Sequence, residues 1–335
     1  MIDRRTCGAG FAISMLTACR GTSSILSSSG QPGGDEATLG RLFTTVGIVV
    51  VVVVAALLLM GIFRRRPPAD ANAIVRQGGG VAWILAGGII APALILVTLF
   101  IFVLKSLSTT AQPPYSNVAG TFEIVGHQWW WEVRRIDDSG EPQFVTANEM
   151  HIPVGRAVRL RLSSADVIHS FWVPELAGKT DVVPGRINKA WLKADKPGVY
   201  IARCAEYCGM QHAQMALVVV AESDAAFARW LASQSAEARP PETPEEQRGL
   251  DAFLGSPCAS CHQIRGTPAG AIVGPDLTHL ASRRTIGAGA LPNTDGNLTG
   301  WIANSQTIKP GNAMPAMYLE PTDLHAIVEY LHSLK

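Results

Sequence analysis

The sequence predicts a membrane-anchored chain in three parts: a hairpin of two apolar helices, a β-rich domain of short strands, and a small helical domain at the C-terminus. Three observations predict it. Two stretches, 42–63 and 81–104, contain no Asp, Glu, Lys or Arg. Residues 115–222 carry period-two alternation broken by turn signals. Residues 244–335 open on a helix-start signature, pass through a C-x-x-C-H turn and close on a helical apolar stripe. Composition agrees: 47% of the 335 residues are hydrophobic and only 16% charged. Ordinary soluble domains are about 25% charged, so part of the chain avoids water. A net charge of +1 excludes a strongly basic nucleic-acid binder and an acidic disordered tail, and six cysteines are too few for a disulfide scaffold.

Each uncharged stretch is long enough to cross a bilayer as a helix, which takes about 20 residues. Arg41 and Arg64 bracket the first, and Lys105 ends the second. Pro92 inside the second is tolerated where neighbouring groups satisfy the freed carbonyl. The connection R-R-R-P-P-A-D-A-N-A-I-V-R (64–76) sets four Arg against one Asp. The positive-inside rule therefore places it in the cytoplasm and everything after Lys105 on the outer face. At the N-terminus a basic Met1–Arg5 precedes an apolar Phe11–Leu16, and Leu16-Thr17-Ala18-Cys19 resembles a lipoprotein signal-peptidase box with Cys19 as the lipidated residue. On that reading 1–18 is a removed leader, 19–40 a flexible tether and 41–105 the hairpin.

From 115 to 222 the pattern is β. Val158, Leu160 and Leu162 alternate with Arg159 and Arg161, and Thr121–Val125 and Ala216–Ala221 are further candidate strands. Asp138-Ser139-Gly140 and Lys196-Pro197-Gly198 supply turns, so the domain reads as a sandwich or barrel. Near its end C-A-E-Y-C-G-M-Q-H-A-Q-M brings Cys204, Cys208, His212 and Met215 within 12 residues, and His169 stands in D-V-I-H-S-F-W-V-P. Soft sulfur with imidazole suits copper. Two Cys and two His would also satisfy zinc, although zinc leaves Met215 unexplained. A Cys204–Cys208 disulfide is the other alternative in an oxidising compartment.

With these residues the chain resembles subunit II of the haem-copper cytochrome c oxidases, from about Arg41 to Glu222. The likeness rests on G-H-Q-W-W-W (126–131), H-S-F-W-V-P-E-L (169–176), K-T-D-V-V-P-G-R (179–186) and the sulfur–imidazole motif. It implies a cupredoxin-like β-barrel holding a dinuclear CuA centre. Cys204 and Cys208 would bridge two coppers, His169 and His212 would bind one each, and Met215 and the Glu206 carbonyl would complete the shells. It implies that the Glu206 side chain holds a Mg or Mn ion shared with subunit I, near Lys179 and Asp181. It also implies that Trp129 is the tryptophan through which electrons reach copper. The chain departs from the family at Gln77–Trp83, Q-G-G-G-V-A-W, which lacks the acidic residue often found at the cytoplasmic end of the second helix.

Residues 223–243 read as a linker. Thr243-Pro244-Glu245-Glu246 then has the form of a helix start, with Thr243 as N-cap, Pro244 first and Glu246 three beyond the cap. Cys258-Ala259-Ser260-Cys261-His262 is the c-type haem attachment pattern: two thiols for the vinyl groups and His262 for iron. K-P-G-N-A-M-P-A-M offers Met314 and Met317 as distal ligands. Here the chain resembles class I cytochromes c, all-α domains, over about Pro244 to Lys335. That resemblance selects Met314 and has the Pro275 carbonyl orient the His262 ring. A last helix from about Thr322 presents Leu324, Ile327, Val328 and Leu331 at helical spacing.

Together the two resemblances imply subunit II of a proton-pumping, caa-type oxidase in a bacterial inner membrane. Its outer domains would pass electrons from haem c through CuA to the haem a and oxygen site of subunit I. Expected partners are subunits I and III and an external donor, a cytochrome c or a quinol–cytochrome c reductase, with no nucleic acid. A membrane-tethered copper and haem carrier serving another terminal reductase is the alternative reading, and copper delivery a third.

Overall fold

The computed structural model describes residues 24–64, 80–111 and 117–335. The proposed leader, Cys19, the Arg-rich connection beyond Arg64 and residues 77–79 lie outside them. Strand β1 is Gly30–Gln31, and helices α1 (Gly33–Phe63) and α2 (Gly80–Thr110) are 31 residues each. Both helices are apolar enough to cross a membrane, and Val51, Leu58 and Phe100 are among the side chains left on their surfaces. Within α2 the stretch Ala86–Ile90 widens into a π-helical turn. Pro92 follows at once; it has no N–H and its ring crowds the carbonyl four residues back, which a widened turn relieves. Thr109 Oγ1 at the end of α2 donates to Asp35 Oδ2 at the start of α1 at 3.0 Å, so the two helices form a hairpin.

The tether expected over 19–40 is not free where it is described. Gly30 and Gln31 pair with Ala194 and Lys193, Ser29 N donates to the Glu175 carbonyl at 2.9 Å, and α1 begins at Gly33 rather than near 41. Asp35 and Glu36 stand in its first turn, where the unpaired N–H groups and the helix dipole favour negative charge. The Ser- and Gly-rich composition hid this, because strand pairing at an edge needs only backbone.

The β domain is two facing sheets. Its strands are β2 (Val118–His127), β3 (Trp130–Ile136), β4 (Pro142–Ala147), β5 (Glu149–Pro153), β6 (Ala157–Ser164), β7 (His169–Trp172), β8 (Thr180–Val182), β9 (Asn188–Ala194), β10 (Gly198–Cys204) and β11 (Ala216–Glu222). One sheet runs β1-β9-β6-β2-β3-β4 and the other β5-β11-β10-β7-β8. The β2–β6 and β5–β11 pairs are parallel, the rest antiparallel. Phe122, Ile124, Trp131, Met150, Leu160 and Leu162 fill the space between, each at most 1% exposed. The expected alternation holds in β6, with Val158, Leu160 and Leu162 inward. Each such burial contributes about 1.5–3 kcal/mol. Helix α3 (Asp224–Ser235), inside the expected linker, sends Trp230 against Phe144 and stacks it on His151.

The C-terminal domain holds α4 (Pro244–Gly255), the short pair β12 (Thr285–Ile286) and β13 (Leu291–Pro292), α5 (Asp295–Ile308) and α6 (Pro321–Ser333). Thr243 Oγ1 accepts from Glu246 N at 3.1 Å, as the cap signature predicts, while the Glu246 carboxylate accepts from Glu242 N at 2.7 Å. A Cβ on Gly249 would lie 2.0 Å from the Ala326 carbonyl oxygen, so α4 and α6 cross in backbone contact. Phe253, Leu298, Ile302, Ile327 and Leu331 form the core beside that crossing.

Candidate metal and haem centres

Strand β7 begins at His169 and pairs with the end of β10 at Cys204, so the imidazole and the first thiol start out as neighbours. Strand β10 then releases the loop 205–215, whose turns are closed by His212 N to Gly209 O and Gln214 N to Gln211 O. Cys204 N donates to the Met215 carbonyl at 3.1 Å, bringing the end of the loop back to its start. The donor atoms gather as a result. Cys204 Sγ lies 3.7 Å from Cys208 Sγ, 4.0 Å from His169 Nδ1 and 3.1 Å from the Glu206 carbonyl oxygen. Cys208 Sγ lies 3.8 Å from His212 Nδ1 and 4.0 Å from Met215 Sδ. His169, Cys204, Cys208 and Met215 are buried.

The electrostatics suit a cation. The hydrogen bond from the Cys208 thiol takes Cys204 well below the ordinary thiol value, and the same bond pushes Cys208 up. Two thiols this close surrender one proton easily and the second only to a positive charge. His169 Nε2 meets Asp166 Oδ1 at 2.8 Å, which leaves Nδ1 facing the thiolates. Asp166 also accepts from Gln128 N and Val167 N, both at 2.6 Å. Sequence reasoning did not single out Asp166; the D-V-I-H spacing was its only signal. Lys179 Nζ sits 3.9 Å from the Glu206 carboxylate, both groups about half exposed.

Trp129 donates its indole Nε1 to the Cys208 carbonyl at 2.9 Å, and Gln128 Nε2 donates to the same oxygen at 2.7 Å. Trp129 also lines a cavity of about 220 Å³ in the C-terminal domain, together with Cys258, Cys261, His262, Met314 and Met317. His262 Nδ1 donates to the Pro275 carbonyl at 2.8 Å, since a carbonyl cannot donate in return, and Nε2 keeps its lone pair. Burial holds His262 below its ordinary value, so the ring is neutral. Arg283 lines the same cavity, buried, with Nε unpaired among the described groups. A neutral imidazole, two thiols, thioethers and a buried guanidinium with an N–H to spare fit a haem with its propionates. Met314 and Met317 both line the cavity; Met314 is held more fully, its N–H bonded to Asn312 Oδ1 and its carbonyl to Ser305 and Gln306.

Fold and donor sets define the class: a membrane-anchored chain with a cupredoxin-like domain joined to a cytochrome c region. The family model for the periplasmic domain of cytochrome c oxidase subunit II matches residues 135–222, and that for cytochrome c matches 247–335. Cytochrome c oxidase subunit 2 of Alkalihalophilus pseudofirmus is 40% identical over 214 residues, 64% of this chain and 60% of that one. The Bacillus subtilis subunit 2 is 28% identical over 281 residues, 79% of this chain and 78% of that one. The periplasmic domain of subunit II of the Bradyrhizobium japonicum cytochrome oxidase aligns at 32% identity and a TM-score of 0.34, over 37% of this chain and 96% of that one. The chain spans about six-tenths of the length of the first of these relatives. Over residues 135–222 the chain is similar to the periplasmic domain of cytochrome c oxidase subunit II, and over 247–335 to cytochrome c.

Proposed function

We propose that this chain is subunit II of a proton-pumping, caa-type oxidase in a bacterial inner membrane, its β and cytochrome domains on the outer face. It takes electrons from an external donor and delivers them to the haem a and oxygen-reducing site of subunit I, in a complex that includes subunit III. Cys258 and Cys261 would hold a c-type haem covalently, with His262 and Met314 on its iron. His169, His212, Met215, the Glu206 carbonyl and the Cys204 and Cys208 thiolates would hold a copper pair. Bound there, these groups supply one-electron redox chemistry.

The chain's own residues prepare both sites. Asp166 turns His169 so that Nδ1 faces the thiolates, and Pro275 does the same for His262 Nε2. Such outer partners fix ring orientation before a metal arrives. Strands β10 and β11, neighbours in one sheet, hold the donor loop at both ends, which keeps its geometry from relaxing between redox states. The Glu206 carboxylate beside Lys179 is where a Mg or Mn ion would meet subunit I.

The position of Trp129 carries this reading. Trp129 lines the haem cavity, and its indole N–H is bonded to the carbonyl of Cys208. One residue therefore borders the haem cavity and is hydrogen-bonded to the copper loop, a shorter route for an electron than open space. A tagged chain drawn from its membrane in mild detergent should bring a large subunit carrying haem a, with oxygen uptake fed by reduced cytochrome c. A chain that comes alone, loaded with copper and haem, would instead be a tethered carrier for another reductase.

A further inference from the structure

Lys309, just past the end of α5, is 2% exposed and lies where the copper and haem domains meet. Its Nζ donates to three carbonyls: Trp129 at 2.6 Å, Gln214 at 2.7 Å and Gly287 at 2.9 Å. An ammonium has three N–H donors and no acceptor, so all three are used. Two carbonyls belong to the copper domain: one is on Trp129, the other one residue before Met215. The third belongs to the haem domain. The loop that holds Lys309 runs on to Met314.

The surrounding seam repeats the pattern. Gln211 Nε2 donates to the Pro310 carbonyl at 2.7 Å, Ala216 N to the Ala288 carbonyl at 3.0 Å, and Arg284 N to the Glu149 carboxylate at 2.9 Å. A Cβ on Gly289, at φ +83°, would meet the Ala216 Cβ at 2.9 Å, so the two backbones touch there. Burial pushes the Lys309 ammonium down to about 7. Replacing this ammonium alone with an apolar side chain would leave three carbonyls without their donor. What an apolar side chain cannot supply is direction. Three carbonyls from three segments satisfy one ammonium in only one relative placement of the domains, whereas an apolar contact tolerates sliding.

We propose that Lys309 is a positioning residue that locks the haem domain onto the copper domain, holding Trp129 between the two centres and covering that face of the copper domain against an external donor. This rests on the electron-transfer reading above. External donors then reach copper only by way of the fused haem.

The test uses the full chain in detergent and two variants, Lys309→Met and Gly289→Ala, which attack the seam from different sides. Hydrogen exchange reads the seam directly. In both variants the amides of 214–216 and 287–290 should exchange about tenfold or more faster, the signature of local opening, while those of β2, β6 and α6 keep their wild-type rates. In the copper- and haem-loaded chain, transfer from photoreduced haem to copper should slow by at least about tenfold in the same variants, since placement of the partners sets the rate. Unchanged exchange at the seam in either folded variant overturns the lock. So does a seam that opens while transfer keeps its wild-type rate. A loaded wild-type chain that passes no electron between the two groups would overturn the electron-transfer reading, and the exchange pattern judges the lock separately.

Discussion

Replacing Asp166 by Asn tests whether the copper-binding geometry is prepared in advance. The carboxylate holds the far nitrogen of His169 at 2.8 Å and accepts two backbone N–H groups at 2.6 Å. Burial would raise its pKa, but the bonds from His169, Val167 N and Gln128 N outweigh burial and hold it below the ordinary carboxylate value. Asparagine keeps the shape and one acceptor oxygen but loses the charge, and charge-assisted hydrogen bonds are about twice as strong as neutral ones. Losing the outer partner of a metal-binding histidine costs about 10–100-fold in affinity, or roughly 1.4–2.7 kcal/mol. The Asp166 side chain is 31% exposed, so water screens part of the effect. The expected loss is therefore near the lower end, about tenfold for Asp166→Asn, and larger for Asp166→Ala, which also frees the ring to turn. The assay is a copper titration of the metal-free full chain against a competing chelator at pH 7, with circular dichroism to check the fold. Equal copper affinity in wild type and in folded Asp166→Asn would refute the reasoning.

Three further outcomes follow from the geometry. The Glu132 carboxyl is buried, which would raise it, but hydrogen bonds from His127 and Arg134 outweigh burial and hold it below 4.5. The stability it contributes is complete above its unfolded pKa and is lost as pH falls through the lower folded one. Glu132→Gln should flatten that acid-side loss and cost about 1 kcal/mol at pH 7; an unchanged acid limb in denaturant melts would contradict it. Gly249→Ala sets a methyl against the Ala326 carbonyl and should destabilise the cytochrome domain by about 3 kcal/mol or more, measured by its own melting transition. A wild-type melt would mean that α4 and α6 do not cross as described. Met314→Ala should abolish the sulfur–iron absorption band of the oxidised haem and Met317→Ala should keep it; the reverse would make Met317 the ligand.

What the sequence made legible was local. The sulfur–imidazole donors fall within 12 residues plus one strand start, so spacing alone nearly assembles them, and the C-x-x-C-H turn is shorter still. The inward alternation of Val158, Leu160 and Leu162 and the Thr243 cap are likewise written in neighbouring residues. Lys309 was invisible because its acceptors are backbone atoms 180, 95 and 22 residues away, and a carbonyl leaves no mark in sequence. Gly30 and Gln31 joined the sheet for the same reason: an edge strand needs backbone and no particular side chain. Asp166 sat inside a quoted motif, yet its work depends on the bend between β6 and β7 that turns it back onto His169.

The most direct measurement is the electron paramagnetic resonance spectrum of the oxidised full chain, matured with copper and haem in detergent. One unpaired electron shared equally by two copper nuclei, beside a low-spin haem, is the predicted result. A pattern from a single copper nucleus, or no copper signal in a metal-replete sample, would contradict the account.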